Sequence, residues 1–288
     1  MIHPTAVIDK KAQIDEGVSV GPYAVIEAGV VLEKNVRVGP YVHVKGDTRV
    51  GEGTFIGTGA VVGELPQIVG CKENNGKLRI GKNNVIREYV TIHVSSSSEK
   101  VTSLGDNNFL MGFSHVGHDC RLQNSVVVCN GALVAGHVDI GDRAFVSGGV
   151  VVHQFVRIGR LAMIGGLSRV NQDVPPFMML VGDSRIWGLN LVGLKRAGFK
   201  PADIARVKQG FNVLYRQRLS QSGALEKLKT LDSAAVKEIV DFVQDSKRGI
   251  CGPQKNSLWE KIFLDYPYFA RTRIEAYDIF LRCRRKTI

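Results

Sequence analysis

The chain of 288 residues has no apolar run near the roughly 20 residues that a membrane-spanning helix needs, so no transmembrane segment is expected. Its start, "MIHPTAVIDKKAQ", lacks the basic-then-apolar layout of a signal peptide, and the expected location is the cytoplasm. The five cysteines, Cys71, Cys120, Cys129, Cys251 and Cys283, include no C-x-x-C pair and no regular spacing. That argues against a disulfide framework and a structural zinc site as the basis of the fold. Aromatic residues make up only 7%, too few for a base-stacking surface, so nucleic acid is not an expected partner. Acidic residues are the scarcer charge, and the formal net charge of +11 favours an anionic partner such as a phosphorylated metabolite or an acidic protein.

What is present is a six-residue repeat. Every sixth residue from Ile2 to Val170 is Ile, Leu or Val, and only Asn74 and Ser98 break the series. A helix repeats at about 3.6 residues and a simple strand at about 2, so neither produces this pattern. Gly often follows the register residue, as in "VGPYAV", "IGTGAV" and "IGDRAF", and the fifth position is often small. This is the hexapeptide signature of a parallel β-helix, with the aliphatic residue turned inward and a corner after each short strand. Three sides close a triangular coil of about 18 residues, and about nine coils stacked ~4.8 Å apart make a prism about 45 Å long.

The two interruptions, "VGCKENNGKL" and "VSSSSEKVTS", are polar and read as loops near 69–79 and 94–103, where binding is expected on a rigid scaffold. After Val170 the register stops, and Pro175 and Pro176 are expected to end the coil ladder. Helical spacing follows. One helix opens at Pro201 with Ile204, Val207, Phe211 and Leu214 on one face, and a second starts at Ser233 and stops near Gly249. The segment 256–288 is expected to add one or two more. The expected division is a β-helix over 1–185 and a small helical C-terminal domain over 186–288.

Chemistry-bearing side chains gather in "FSHVGHDCRLQNSVVVCNGALVAGHVDIG", residues 113–141. An isolated histidine is more often structural than catalytic, but these are clustered. His118 and His137 stand one coil plus one residue apart, which places them on neighbouring coils at the same edge. His115 and His118, only three residues apart, are not stacked by the coil, which argues against a shared metal ion. A neutral imidazole beside Asp119 can instead deprotonate a hydroxyl at physiological pH. A metal site assembled from different coils or neighbouring subunits stays open on spacing alone.

Taken in order, "VGHDC", "LVAGHVDIGD", "VVHQFVRIG", "DVPPF" and "GLNLVGLKRAGF" resemble the acyl-[acyl-carrier-protein]–UDP-N-acetylglucosamine O-acyltransferase family, over a span from Ile2 to about Gly249. The resemblance implies a left-handed β-helix that transfers an (R)-3-hydroxyacyl chain from acyl carrier protein to the 3-hydroxyl of UDP-N-acetylglucosamine, the first step of lipid A biosynthesis. It implies a homotrimer with its sites between adjacent prisms, and no metal or dissociable cofactor. Carried onto matching positions, it makes His118 the general base, Asp119 its orienting partner and the Gly136 N–H the oxyanion donor. His115, His137 and His153 would line the sugar-phosphate and acyl pocket, with His93 and Gln67 near the nucleotide sugar. Asn190 and Arg196 match nucleotide-holding positions, and Gly166 matches one that limits acyl depth. Arg157, Arg160, Arg169 and Lys195 are candidates to steer the acidic carrier protein.

Departures from the family pattern cluster around the sugar. Where "PQDLKY" is usual the chain reads "PQIVGC", placing Ile68 and Gly70 where an aspartate and a lysine contact substrate; Lys72 is the candidate to compensate. "IHVSS" replaces "IHRGT", so Val94 stands in place of an arginine, and Val192 and Ala197 replace a glutamate and a second arginine. Two alternatives therefore stay open: N-acylation of the 3-amino analogue of the nucleotide sugar, and a coenzyme A dependent hexapeptide acetyltransferase.

Overall fold

A computed structural model describes residues 1–71 and 76–254. Most strands are only two residues long, and each pairs in parallel with the strand one coil further on. Val7–Ile8 lies beside Val25–Ile26, Gln13–Ile14 beside Val31–Leu32 and Ser19–Val20 beside Arg37–Val38. Three sheets result, one on each side of a triangular prism. The first side holds nine strands, from Val7–Ile8 to Arg169–Val170, and the second holds eight, from Gln13–Ile14 to Arg157–Ile158. The third side begins at Ser19–Val20 and continues past the coils into Arg185–Leu189 and Gly252–Pro253.

The second residue of each strand is the register residue, and it points inward. Ile26, Leu32, Ile56, Ile86, Leu110, Ile140 and Ile158 are all buried, stacked in aliphatic columns. Each such side chain contributes about 1.5–3 kcal/mol of burial, and slipping one strand by a residue would expel it. The small fifth residue, as at Ala24, Ala60, Ala132 and Ala144, is buried at the corner where two sides converge. The residue before it takes a left-handed conformation, with φ of 57° at Tyr41, 59° at Asp119, 61° at His137 and 65° at Phe155. A side chain there costs about 1–2 kcal/mol. Ladder bonds such as His137 N–H to His118 O, at 2.9 Å, hold the corner in that shape.

Two expectations about the coils need correction. The first loop lies between Val61–Glu64 and Lys77–Ile80, and Lys77–Ile80 is a strand paired with Asp47–Val50. The insertion equals two hexapeptides, so Ile68 falls in frame through its length alone; it is 43% exposed and belongs to no aliphatic column. The second loop likewise ends before the strand Val101–Leu104. Nor do Pro175 and Pro176 end the ladder. Met178–Val181 pairs in parallel with Met163–Ile164 two residues ahead of the usual spacing, and only then does the chain reverse into Arg185–Leu189.

Four helices follow: α1 (Leu191–Arg196), α2 (Pro201–Tyr215), α3 (Gln221–Lys229) and α4 (Ala234–Gln244). The expected apolar face of α2 is present, with Ile204, Val207 and Phe211 buried and Leu214 half-buried. α1 and α3 are short and were not legible. α4 stops at Gln244 rather than near Gly249. Gly249, at φ 72°, instead turns the chain back onto the prism, where its carbonyl accepts the Asp173 N–H. Asp173 is itself buried and accepts bonds from Arg157 N–H and the Ser246 hydroxyl.

Prism and helices share one hydrophobic core, and Met1–Pro253 forms a single compact unit. Arg160 ties α4 to the prism through a two-pronged ion pair with Glu238, at 2.6 Å, and the Arg157 guanidinium lies 4.3 Å from the Phe242 ring centre. Two of the arginines proposed to steer a carrier protein are thus engaged internally, and Arg169 pairs with Asp183. Lys72 and the helices expected within 256–288 lie outside the described residues. Among those described, no helix is long and apolar enough to cross a membrane.

Candidate active site

Both loops leave the same corner of successive coils and stand beside the corner that carries Asp119, His137 and Phe155. Beneath them, on the outer surface of the first side, is a cleft of about 550 Å³. Gln67, His93, His115, His118 and Gly136 line it, so the coil spacing brings these five candidates together.

Asp119 is the centre of the constellation. Its N–H donates to the buried Thr102 hydroxyl at 2.8 Å, which fixes the backbone at the corner. One carboxylate oxygen, Oδ2, lies 2.7 Å from His118 Nδ1 and 3.4 Å from His137 Nε2. The Ser96 N–H, from the second loop, donates to the same carboxylate at 3.2 and 3.3 Å. Burial alone would raise the Asp119 pKa. The hydrogen bonds from His118 and Ser96 and the neighbouring His137 outweigh burial and hold it below the ordinary carboxylate value.

An ionised Asp119 accepts the hydrogen on His118 Nδ1 and leaves a lone pair on Nε2. Nε2 faces Gly136: a Cβ added at Gly136 would stand 2.6 Å from it. The His137 ring meets the His118 ring edge-on at 5.0 Å and stacks on Phe155 at 4.5 Å, so the imidazole is held from two directions. Burial lowers the His137 pKa despite the opposing pull of Asp119. The donor atoms of His118, Asp119 and His137 lie within 4.8 Å of one another, a composition that suits a metal ion. The carboxylate bridging both rings by hydrogen-bond contacts accounts for that closeness without one.

On the next coil towards the N-terminus, His115 Nδ1 lies 2.9 Å from the Thr91 hydroxyl, and its ring meets the buried His93 edge-on at 5.0 Å. Burial, with His93 and His118 nearby, lowers the His115 pKa to about 4, and His93 is lowered by burial as well. Both rings are neutral at physiological pH. A Thr91 hydroxyl donating to Nδ1 leaves the hydrogen on His115 Nε2, making it a donor to a ligand rather than a base. His93 is anchored through Nδ1 to the Leu65 carbonyl, which fixes the start of the loop bearing Gln67.

The remaining candidates lie elsewhere. His153 is exposed, contacts Arg248 at 3.3 Å and does not line the cleft. Gly166 is at a different corner, where a Cβ would meet only the Gly148 carbonyl. Asn190 is buried and caps α1: its side-chain oxygen accepts the Gly193 N–H at 2.9 Å and its nitrogen donates to Leu161 O at 2.8 Å. Arg196 is exposed in the last turn of α1.

Sequence reasoning missed Tyr89, Phe113, Leu133 and Val151, which also line the cleft. A signal was present. The residue before each register residue faces outward, and on this side Val7, Val25, Val61, Leu133 and Val151 make that row apolar.

A coiled hexapeptide scaffold with an imidazole–carboxylate pair in a cleft defines the class of hexapeptide-repeat transferases. Residues 29–64 match the bacterial transferase hexapeptide model of six repeats, and residues 173–251 match the model for domain 2 of UDP-N-acetylglucosamine O-acyltransferase. A relative from Burkholderia lata named acyl-[acyl-carrier-protein]–UDP-N-acetylglucosamine O-acyltransferase is 47% identical over 86% of this chain and 98% of its own. One of the same name from Gloeothece citriformis is 46% identical over 85% and 90%.

Among solved structures, the UDP-N-acetylglucosamine acyltransferase of Bacteroides fragilis superposes with a TM-score of 0.84 at 36% identity, covering 87% of this chain and 99% of that one. The Francisella novicida enzyme gives 0.85 at 36%, covering 89% and 95%. The chain belongs to the acyl-[acyl-carrier-protein]–UDP-N-acetylglucosamine O-acyltransferase family. It is an acyltransferase, and its fold is the left-handed parallel β-helix.

Proposed function

We propose that the chain transfers an (R)-3-hydroxyacyl group from acyl carrier protein to the 3-hydroxyl of UDP-N-acetylglucosamine, opening lipid A biosynthesis. The observation that carries the reading is the line from Asp119 through His118 to Gly136, with Nδ1 held at 2.7 Å and Nε2 facing the glycine. His118 Nε2 takes the proton as the sugar oxygen attacks the thioester carbonyl. Asp119 stabilises the imidazolium that forms, and the Gly136 N–H receives the oxyanion. Collapse expels the carrier thiolate, to which His118 returns the proton. No metal or dissociable cofactor enters this scheme.

Neutral His115 and His93 suit hydrogen bonding to the sugar and phosphates, with Gln67 at the loop. The exposed pair Leu133 and Val151 supplies an apolar bed for the acyl chain. Gly166, Asn190, Arg196, His153 and Lys72 keep the acyl- and nucleotide-facing roles that the family resemblance implies. For Asn190 this rests on resemblance alone, since its side chain is occupied as a helix cap. The working form is a homotrimer with clefts between prisms, supported by exposed Tyr23, Tyr41, Tyr89, Phe113 and Leu167 along one corner of the prism. The compartment that goes with an acyl-carrier substrate is the cytoplasm.

The test is mass spectrometry of products from UDP-N-acetylglucosamine and from its 3-amino analogue, each offered with 3-hydroxyacyl carrier proteins of several lengths. An ester on the first acceptor is expected. An amide on the second alone would move the acceptor assignment, and no acylated nucleotide from either would end the reading. Light scattering at working concentration tests the trimer.

A further inference from the structure

Cys120 follows Asp119 directly, and its side chain is fully buried inside the prism. Burial pushes its pKa up to about 12, so it is an S–H donor at any working pH and no nucleophile. That hydrogen goes to the Ala135 carbonyl, with Sγ 3.0 Å from the oxygen. The carbonyls on either side belong to the coil ladder: Val134 O accepts the Gly117 N–H at 2.8 Å and Gly136 O accepts the Phe155 N–H at 3.1 Å. The Ala135 oxygen between them is drawn inward to the thiol instead.

In a trans peptide the carbonyl and the following N–H point in opposite directions. Holding Ala135 O inside the prism therefore turns the Gly136 N–H outward, into the cleft that Ala135, Gly136 and His118 line. Gly117 keeps that N–H uncovered, because a Cβ at Gly117 would stand 2.7 Å from the Gly136 nitrogen. A hydrogen bond on the carbonyl also polarises the amide and strengthens its N–H as a donor.

The geometry points to Cys120 as a positioning residue for acyl transfer, whose thiol holds and polarises the Ala135–Gly136 peptide so that its N–H faces the forming oxyanion. The inference rests on the proposed role of Gly136. Cys120 itself touches no reacting atom; it acts through one peptide plane.

The full-length chain carrying Cys120→Ala, Cys120→Val or Cys120→Ser decides the matter, read by kcat, by KM for each substrate and by melting temperature. Outright loss of an oxyanion donor costs about 100- to 1,000-fold in kcat, so a donor that is misaimed but present is expected to cost about 10-fold. Cys120→Ala and Cys120→Val should each show that loss with KM within about twofold of wild type. Cys120→Ser, which restores an O–H donor, should recover kcat to within about threefold. The pH profile should keep its shape in all three, because His118 and Asp119 are untouched.

Valine fills the space, which separates the hydrogen bond from packing; if Cys120→Val melts early, the comparison of serine with alanine carries the decision. Full kcat in Cys120→Ala, or a serine variant as slow as alanine, overturns the inference. An active wild type with unaffected variants sinks this role alone. A wild type that acylates no nucleotide sugar sinks the proposed function, and this inference with it.

Discussion

Gly136 lies directly against the His118 ring, so that a Cβ built on it would stand 2.6 Å from Nε2 and 2.7 Å from Cε1. The ring has nowhere to retreat, being held at Nδ1 by Asp119 and along its edge by His137. In Gly136→Ala the imidazole must therefore tilt and carry its lone pair off the sugar hydroxyl. Displacements near 1 Å cost about 100-fold, so kcat should fall at least that far, while the melting temperature changes little because only one side chain moves. Steady-state kinetics and thermal unfolding on one preparation test both halves. An alanine variant with wild-type kcat would show that Nε2 is not the proton acceptor.

Asp119→Asn separates charge from shape. The carboxamide keeps the volume but gives the imidazolium no counter-charge, and kcat should drop by about 1,000-fold or more. The same variant tests linkage. Because the native Asp119 pKa is held below its ordinary value, the carboxylate contributes stability that is present above about pH 4 and is lost as pH falls through the native pKa. Melting temperatures of wild type and Asp119→Asn should differ at pH 7 and converge towards pH 3. A constant gap would mean that the Asp119 charge contributes nothing to stability.

Much of this was legible because the prism converts sequence distance into spatial distance by a single number. With coils of 18 residues, His118 and His137 had to meet at one corner, and their rings do, at 5.0 Å. The same regularity misled at Ile68, where an insertion of two hexapeptides kept the beat while leaving the scaffold. Other features carry no periodic mark. The clamp on Asp119 comes from the backbone N–H of Ser96, a group that every residue but proline has. The pairing of Arg160 with Glu238 joins residues far apart in sequence, and the capping of α1 by Asn190 needed the position of Leu161 O to be known.

His115 makes a second pH prediction with its sign fixed by burial. Its native pKa of about 4 lies below the unfolded value of about 6.5, so between those limits the unfolded chain takes up a proton that the folded chain refuses. Stability should fall as pH drops through that window. Solvent screening at a half-buried site reduces the contribution to about 1 kcal/mol. In His115→Gln the decline from pH 7 to pH 4 should be shallower by about that amount, measured by urea unfolding at each pH. An identical slope in both proteins would place the proton uptake elsewhere.

The outward apolar pair on the first side gives the last prediction. Leu133 and Val151 are neighbours in adjacent strands, each 46% exposed, and both border the cleft beside Ala135. An acyl chain laid across them buries their exposed methyl groups, at about 0.8 kcal/mol per methylene removed from water. Leu133→Ala withdraws two or three such groups, so the apparent affinity for a long-chain acyl donor should fall by about 5- to 30-fold. A donor too short to reach the pair loses nothing. Comparing KM for short and long 3-hydroxyacyl carrier proteins in wild type and Leu133→Ala therefore yields a length-dependent ratio if the chain lies here. Equal losses for both donors would place the acyl path on another face of the prism.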